Sequence, residues 1–394
     1  MINGDDSFSV YVHIPFCSRR CDYCDFATWV DKEHLIEKYI DAVINQWSYH
    51  IINESNITSK KLRSIFFGGG TPNLINPKHI VKIIETIKNN CKNNIDPNCE
   101  ITVESNPDHI SLEQMQTYFE GGVNRISIGV QSTNQDVLDY LGREHKASGI
   151  RSSIENILDA GLTNFSCDLI YGSGNETIDI YEKSLRDILA YKPKHISAYS
   201  LGVENKTPLA ISISIGEKEN VNDDDLADKY ELTDRVLSEN GFDWYEISNW
   251  SLPGYESKHN LSYWRGIDVI GLGCAAHGFT NENRIATPRD IERYMKRFYD
   301  TNLNNKKIQE LFTIIHPVET ISKKMENFAL KLRTRSGVAW QKNEFSDVLK
   351  MLIENGFCQY DNEKSIIYLT LKGRLMAHSI TIELYESYEM NQVL

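Results

Sequence analysis

Val10-Tyr11-Val12-His13-Ile14-Pro15-Phe16-Cys17-Ser18-Arg19-Arg20-Cys21-Asp22-Tyr23-Cys24 joins a short apolar run to three cysteines at offsets of four and three residues. Three thiolates so spaced can wrap a cuboidal iron-sulfur cluster and leave one of its four irons without a protein ligand. That open iron can bind a small molecule. The same cysteines with His13 also make a Cys3His set of the kind that holds a structural zinc ion. The residues around this stretch must separate the two readings.

The apolar run reads as the first of six strands. Val10–Ile14, Ser64–Phe67, Glu100–Glu104, Arg125–Val130, Phe165–Tyr171 and His195–Leu201 alternate with amphipathic segments such as 32–52, where Leu35, Tyr39, Val43 and Trp47 recur at four-residue spacing. Alternation of this kind implies parallel strands. An α/β fold is expected, with a partial (β/α)6 barrel over residues 1–240 and a loop-rich extension over 241–317. For residues 318–394 the order helix, helix, hairpin (358–371), helix predicts a smaller winged-helix-like α+β domain. In barrels of parallel strands, groups at the carboxyl ends converge on one face, and the site is expected there.

Composition narrows the function. The chain has 394 residues, 41% of them hydrophobic, enough for a domain of roughly 250 residues and a companion. A net charge of -13 argues against a nucleic-acid partner. The last segment, 318–394, carries ten Lys and Arg against ten Asp and Glu, so it reads as a cap or docking module and not as a DNA reader. No apolar stretch approaches the roughly 18 residues of a membrane span, which leaves only peripheral membrane contact. The five remaining cysteines lack pairing spacings, and no apolar signal precedes Tyr11, so a reduced cytoplasmic setting is expected.

An open iron can take the amino and carboxylate groups of S-adenosylmethionine and pass an electron into its sulfonium. The sequence offers partners for that molecule. Gly68-Gly69-Gly70-Thr71-Pro72 follows an apolar run, and its glycines let backbone approach a charged ligand, although a tight strand-to-helix turn explains them equally well. Glu104, Gln131, Arg143 and Asp168 stand at or beyond strand ends. An arginine fork suits a carboxylate, while acids and amides suit an amino group, ribose hydroxyls or a sulfonium.

On the C-x3-C-x2-C triad the chain resembles the radical S-adenosylmethionine (SAM) superfamily. On Tyr11–Cys17, Gly68–Pro72, Gly129-Val130-Gln131-Ser132 and Asp168-Leu169-Ile170-Tyr171-Gly172 it resembles the oxygen-independent coproporphyrinogen III oxidase group, over nearly its whole length. The resemblance implies a [4Fe-4S] cluster on Cys17, Cys21 and Cys24. It also implies S-adenosylmethionine contacts at Tyr11, Tyr23, Gly69, Gly70, Thr71, Glu104, Gln131, Arg143 and Asp168. The chain departs from its relatives at Gly172-Ser173-Gly174, where a leucine and proline usually follow the first glycine.

Two branches of the group differ. Decarboxylases carry a further cysteine two residues after the third ligand, where this chain has Phe26, and a longer segment before the tyrosine matching Tyr11. The haem-chaperone branch carries H-N-x-x-Y-W, present here as His259-Asn260-Leu261-Ser262-Tyr263-Trp264. The resemblance therefore implies a haem chaperone with haem at His259, a haem-acceptor protein, and an electron donor such as a flavodoxin or ferredoxin. A decarboxylase and a non-catalytic zinc scaffold are the rival readings.

Overall fold

A computed structural model of the chain describes residues 6–54, 57, 59–280, 283–299, 303, 308–315, 320–341 and 346–393. Its centre is a curved sheet whose first six strands are β1 (Ser7–Ile14), β2 (Lys61–Gly69), β3 (Ile95–Ser105), β4 (Arg125–Gln131), β5 (Phe165–Tyr171) and β6 (His195–Ser200). They are parallel and adjacent in chain order. Helices α1 (Ile36–Asn53), α2 (Pro77–Asn90), α3 (Leu112–Glu120), α4 (Gln135–Tyr140), α5 (Ile150–Asp159) and α6 (Ile178–Leu189) connect them. Several of these starts are set by side chains: Asn76, Ser111, Asn134 and Thr177 each accept a backbone N–H of the following turn.

Side chains alternate across a strand, and here the alternation sorts apolar from polar. In β1, Phe8, Val10, Val12 and Ile14 are fully buried in the main core, whereas Ser9, Tyr11 and His13 face the lumen. In β4 and β5 the same rule puts Arg125, Ser127 and Asp168 inside, with Ile126, Ile128, Cys167 and Leu169 in the core. Closed parallel barrels fill their centres with branched apolar side chains. This one lines its centre with hydroxyls and charges, which leaves room for ligands.

The expected partial barrel is present, and the sheet extends beyond it on both sides. After α7 (Pro208–Ser214) and α8 (Asp223–Glu239), the strands β7 (Asp243–Glu246) and β8 (Asn249–Ser251) pair antiparallel beyond β6. The helix α9 (Lys258–Trp264) then leads to β9 (Asp268–Leu272), which adds a seventh parallel strand against β1. Next, β10 (His277–Thr280), β11 (Asn283–Ala286) and β12 (Thr313–Ile315) continue antiparallel to the sheet edge, with α10 (Ile291–Phe298) between the last two. The stretch expected to be loop-rich thus carries strands of three to five residues, too short for a two-residue period to register in sequence.

Beyond residue 319 lies a second core of Leu332, Trp340, Leu349, Leu352, Ile367, Leu369, Ile380 and Leu384. It is built from helices and a three-stranded sheet in which Ile366–Leu369 lies between Val338–Ala339 and Cys358–Asp361. Two arginines fasten this unit to the barrel. Arg374 reaches Asp234 at 2.8 Å with its guanidinium 4.3 Å from the Trp244 ring centre, and Arg333 reaches Glu246 at 3.2 Å while stacking 4.5 Å from the ring centre of Trp264.

Candidate functional site

The carboxyl ends of the barrel strands surround a cavity of about 360 Å3. Cys17, Cys21 and Cys24, all free thiols, line it. Thr71 Oγ1 donates to the Cys17 sulfur at 3.5 Å, and Arg143 Nη1 donates to the Cys21 sulfur at 3.4 Å. The loop carrying the thiols is pinned at Asp22: its N–H donates to Leu141 O, its carbonyl accepts from Leu209 N–H, and its carboxylate accepts from Lys218 Nζ at 2.8 Å.

His13 does not complete a zinc site. Its Nε2–H donates to the carbonyl of Ala27 at 2.9 Å, so Nδ1 is the acceptor for Tyr11 O–H at 3.0 Å. Both ring nitrogens are engaged. Four ligands of one zinc ion must also converge to about 2–2.3 Å from it, and among the described residues no three His, Cys, Asp or Glu side chains are grouped to hold a single ion.

Strain marks the ligand side of the mouth. Gly69 sits at φ +109°, where a Cβ would come within 2.3 Å of the His13 ring, and a Cβ on Gly70 would meet backbone oxygens at 2.8 Å. Only glycine fits this crossing. Gln131 ends β4 at φ 63°, where the register with β5 slips, and this turn carries its side chain into the cavity wall. Arg143 is held by Asn106 Oδ1 at 2.7 Å and the carbonyl of Gly129 at 3.2 Å, while its buried Nε has no partner.

Two carboxyls share the floor. Glu104 accepts Gly69 N–H at 3.0 Å; burial, reinforced by Asp168, pushes it up to about 7. Asp168 accepts from the hydroxyls of Ser197 (2.6 Å), Ser127 (2.9 Å) and Ser166 (3.3 Å), yet burial still raises its pKa. A cationic ligand placed over this pair would relieve both.

Beneath the floor lies a second chamber of about 160 Å3, whose walls include Tyr11, Arg125, Tyr199, Asn260, Tyr263 and His259. His259 is 2% exposed and lies on α9, stacked 4.8 Å from the Phe66 ring and 6.2 Å from Tyr11. Glu100 holds the start of that helix by accepting from the N–H groups of Lys258 and His259, both at 3.1 Å. A chain of hydroxyls assigns the imidazole tautomer. Ser262 donates to Lys258 O, Ser9 therefore donates to Ser262, and Ser64 donates to Ser9. His259 Nδ1–H must then donate to Ser64 at 3.0 Å, which leaves a bare lone pair on Nε2. That buried Nε2 has no partner, as is also true of Arg125 Nε. Burial and Arg125 push the imidazole down to about 3, so it stays neutral.

The structure places His259 on a helix inside the barrel, within the stretch expected to be loop-rich. The chamber shares Glu104, Ser127, Asp168 and Tyr199 with the cavity of the thiols above it.

Comparison with known proteins places the chain. The profile of the Radical SAM superfamily matches residues 11–188. A Bacillus subtilis (strain 168) protein curated as "Heme chaperone HemW" is 32% identical over 383 residues, spanning 94% of this chain and 97% of the relative. The chain belongs to the HemW family of radical SAM proteins. A second HemW, from Lactococcus lactis, is also 32% identical and spans 94% of this chain and 96% of its own length. The solved coproporphyrinogen III oxidase HemN of Escherichia coli, described as a radical SAM enzyme, matches the fold with a TM-score of 0.77 at 20% identity, covering 97% of this chain and 90% of that one.

Membership of the radical SAM superfamily implies a [4Fe-4S] cluster and S-adenosylmethionine. The chain brings eight of the nine expected S-adenosylmethionine contacts into the cavity that holds the three thiols: Tyr23, Gly69, Gly70, Thr71, Glu104, Gln131, Arg143 and Asp168. Tyr11 stands apart from that cavity, lining the chamber below and a cleft beside it. Sequence reasoning missed Asn106, which ties Arg143 to Thr71 by donating to its hydroxyl at 3.2 Å. Its signal was Glu104-Ser105-Asn106-Pro107, a strand stopped by proline with a polar side chain at the stop. It also missed Arg125, hidden because it begins a strand instead of ending one.

Proposed function

We propose that this protein is a haem chaperone that carries a [4Fe-4S] cluster and S-adenosylmethionine at its barrel mouth and hands haem to an acceptor protein. The observation that carries the reading is the match, along 94% of the chain, to proteins curated as haem chaperones. Phe26, where decarboxylases of this group have a further cysteine, points the same way.

Cys17, Cys21 and Cys24 would hold the cluster, leaving one iron to the ligand. When bound, the reduced cluster can donate one electron to the sulfonium of S-adenosylmethionine. Arg143 then offers its fork to the ligand's carboxylate, with Asn106 fixing its plane. Glu104 and Asp168 face cationic groups, and the glycines Gly69 and Gly70 let the backbone come close. The electron comes from a reductant of the flavodoxin or ferredoxin class. No helix among the described residues is long and apolar enough to cross a membrane, and we place the protein in the cytoplasm.

Anaerobic reconstitution tests the reading. Wild-type protein is expected to bind near four irons per chain and to lose them in the Cys17→Ser, Cys21→Ser and Cys24→Ser variants. It should bind haem, transfer it to a haem-free acceptor, and leave coproporphyrinogen III unchanged. Turnover of coproporphyrinogen III, or zinc in place of iron, would overturn it.

A further inference from the structure

A chain of hydrogen bonds runs sideways through the sheet from Asp168. Ser166, two residues earlier on β5 and so on the same face, donates to the Asp168 carboxylate at 3.3 Å. Its neighbour across β6 is His195, whose Nδ1 lies 2.7 Å from the Ser166 hydroxyl. On the other side of the ring, His195 Nε2 lies 2.8 Å from the hydroxyl of Tyr245 on β7. Ser166 and His195 are fully buried, and neither they nor Tyr245 lines the mouth or the chamber below it.

Each hydrogen in this chain has one place to go. An ionised carboxylate only accepts, so the Ser166 hydrogen points to Asp168 and its oxygen takes the hydrogen of His195 Nδ1. Nε2 is then a lone pair and receives the phenol hydrogen of Tyr245, which has no other acceptor among the described residues. The phenol oxygen also takes a hydrogen bond from the Ser257 backbone, and the carbonyl of Tyr245 accepts Arg335 N–H of the appended unit at 3.0 Å, so the ring is held in place. With the opposite tautomer, Nδ1 would draw the Ser166 hydrogen away from the carboxylate.

Resting on the S-adenosylmethionine reading of the mouth, we propose that His195 is a positioning residue: it holds Ser166 as a donor to Asp168 and so fixes that carboxylate as an acceptor for the cationic part of the ligand. Burial alone raises the pKa of Asp168, and the hydroxyls of Ser197, Ser127 and Ser166 oppose it. The charged and titratable groups around the carboxylate are Glu104 on β3, Arg125 on β4, and His195 and Tyr199 on β6. All but His195 are untouched by the variants below.

Two measurements test this. Nitrogen-15 NMR of histidine-labelled, cluster-free protein reads the tautomer of His195, its signal assigned by its loss in His195→Asn; a neutral ring with hydrogen on Nδ1 is expected. Calorimetry of S-adenosylmethionine binding to cluster-loaded protein from pH 6 to pH 9 reads the consequence. At pH 7, His195→Leu and Ser166→Ala should each weaken binding at least about threefold, and the double variant no more than the worse of the two, because both remove the same donor. His195→Asn, whose amide N–H can replace Nδ1–H, should stay within about threefold of wild type. A missing donor raises the Asp168 pKa further, so the loss should be largest near pH 6 and shrink toward pH 9. Hydrogen on Nε2, a smaller effect of Ser166→Ala, additive losses, or a loss that grows with pH would each overturn the inference, and the first two hold even if His195→Leu does not fold. Failure of the wild type to bind S-adenosylmethionine would instead overturn the reading of the mouth on which the inference rests.

Discussion

Replacing Glu104 by glutamine tests the electrostatics of the mouth directly. The side chain keeps its shape and an oxygen to accept Gly69 N–H, bonded at 3.0 Å in the native protein. What it loses is a carboxyl pushed up from 4.5 to about 7, chiefly by burial and then by Asp168. A folded state that holds a proton more tightly than the unfolded chain loses stability as pH rises between the two values. Below 4.5 the two states are protonated alike; above 7 the folded state carries a buried charge it resists. Integrating between about pH 5 and about pH 8 gives a relative gain for Glu104→Gln of about 2.5 kcal/mol. Urea unfolding of cluster-free protein, followed by tryptophan fluorescence at each pH, measures it. Asp168 keeps a slope of its own in both proteins, so the difference between them is the quantity that counts. A gain under about 1 kcal/mol across that window, or one that grows toward acid, would refute the argument.

Glu104 makes a further forecast: a cationic ligand drives its proton off, so S-adenosylmethionine affinity should rise with pH up to about 7, with proton release seen by calorimetry in buffers of different ionisation heat. Asn106→Ala removes an acceptor that the buried Arg143 holds at 2.7 Å, so urea unfolding should show a loss of about 1.5 to 3 kcal/mol, and S-adenosylmethionine should bind several-fold more weakly; equal affinity would show that Arg143 needs no brace. Gly69→Ala puts a methyl 2.3 Å from the His13 ring at φ +109°, and a loss of at least about 2 kcal/mol is expected in urea unfolding. Lys218→Met removes the cation on Asp22 and is expected to cost about 1 kcal/mol or less in stability. It should nonetheless release iron to a chelator several-fold faster than wild type.

The barrel was legible because its strands alternate with amphipathic helices and because most motifs fall where a strand gives way to a turn, Asp168 in the middle of β5 being an exception. The thiols, the triple glycine and Glu104 all announce themselves in this way. Two kinds of information stayed hidden. Short strands such as Thr313–Ile315 carry too few residues for a periodicity, so most of the stretch from β7 to β12 reads as loop. Depth is also invisible: nothing in His259-Asn260-Leu261-Ser262-Tyr263-Trp264 says that the imidazole points inward, because that depends on Ser9 and Ser64, some 250 and 195 residues away in the chain.

Helix α9 is seven residues long, about two turns, and it is gripped at both tips by different layers of the molecule. Glu100 of the sheet clasps its first N–H groups, and Arg333 of the appended unit lies flat on Trp264, its last residue. The helix that carries His259 is thus fixed by the sheet at one end and by the appended unit at the other, so a change in how that unit sits would bear first on Trp264 and, through two helical turns, on the buried imidazole.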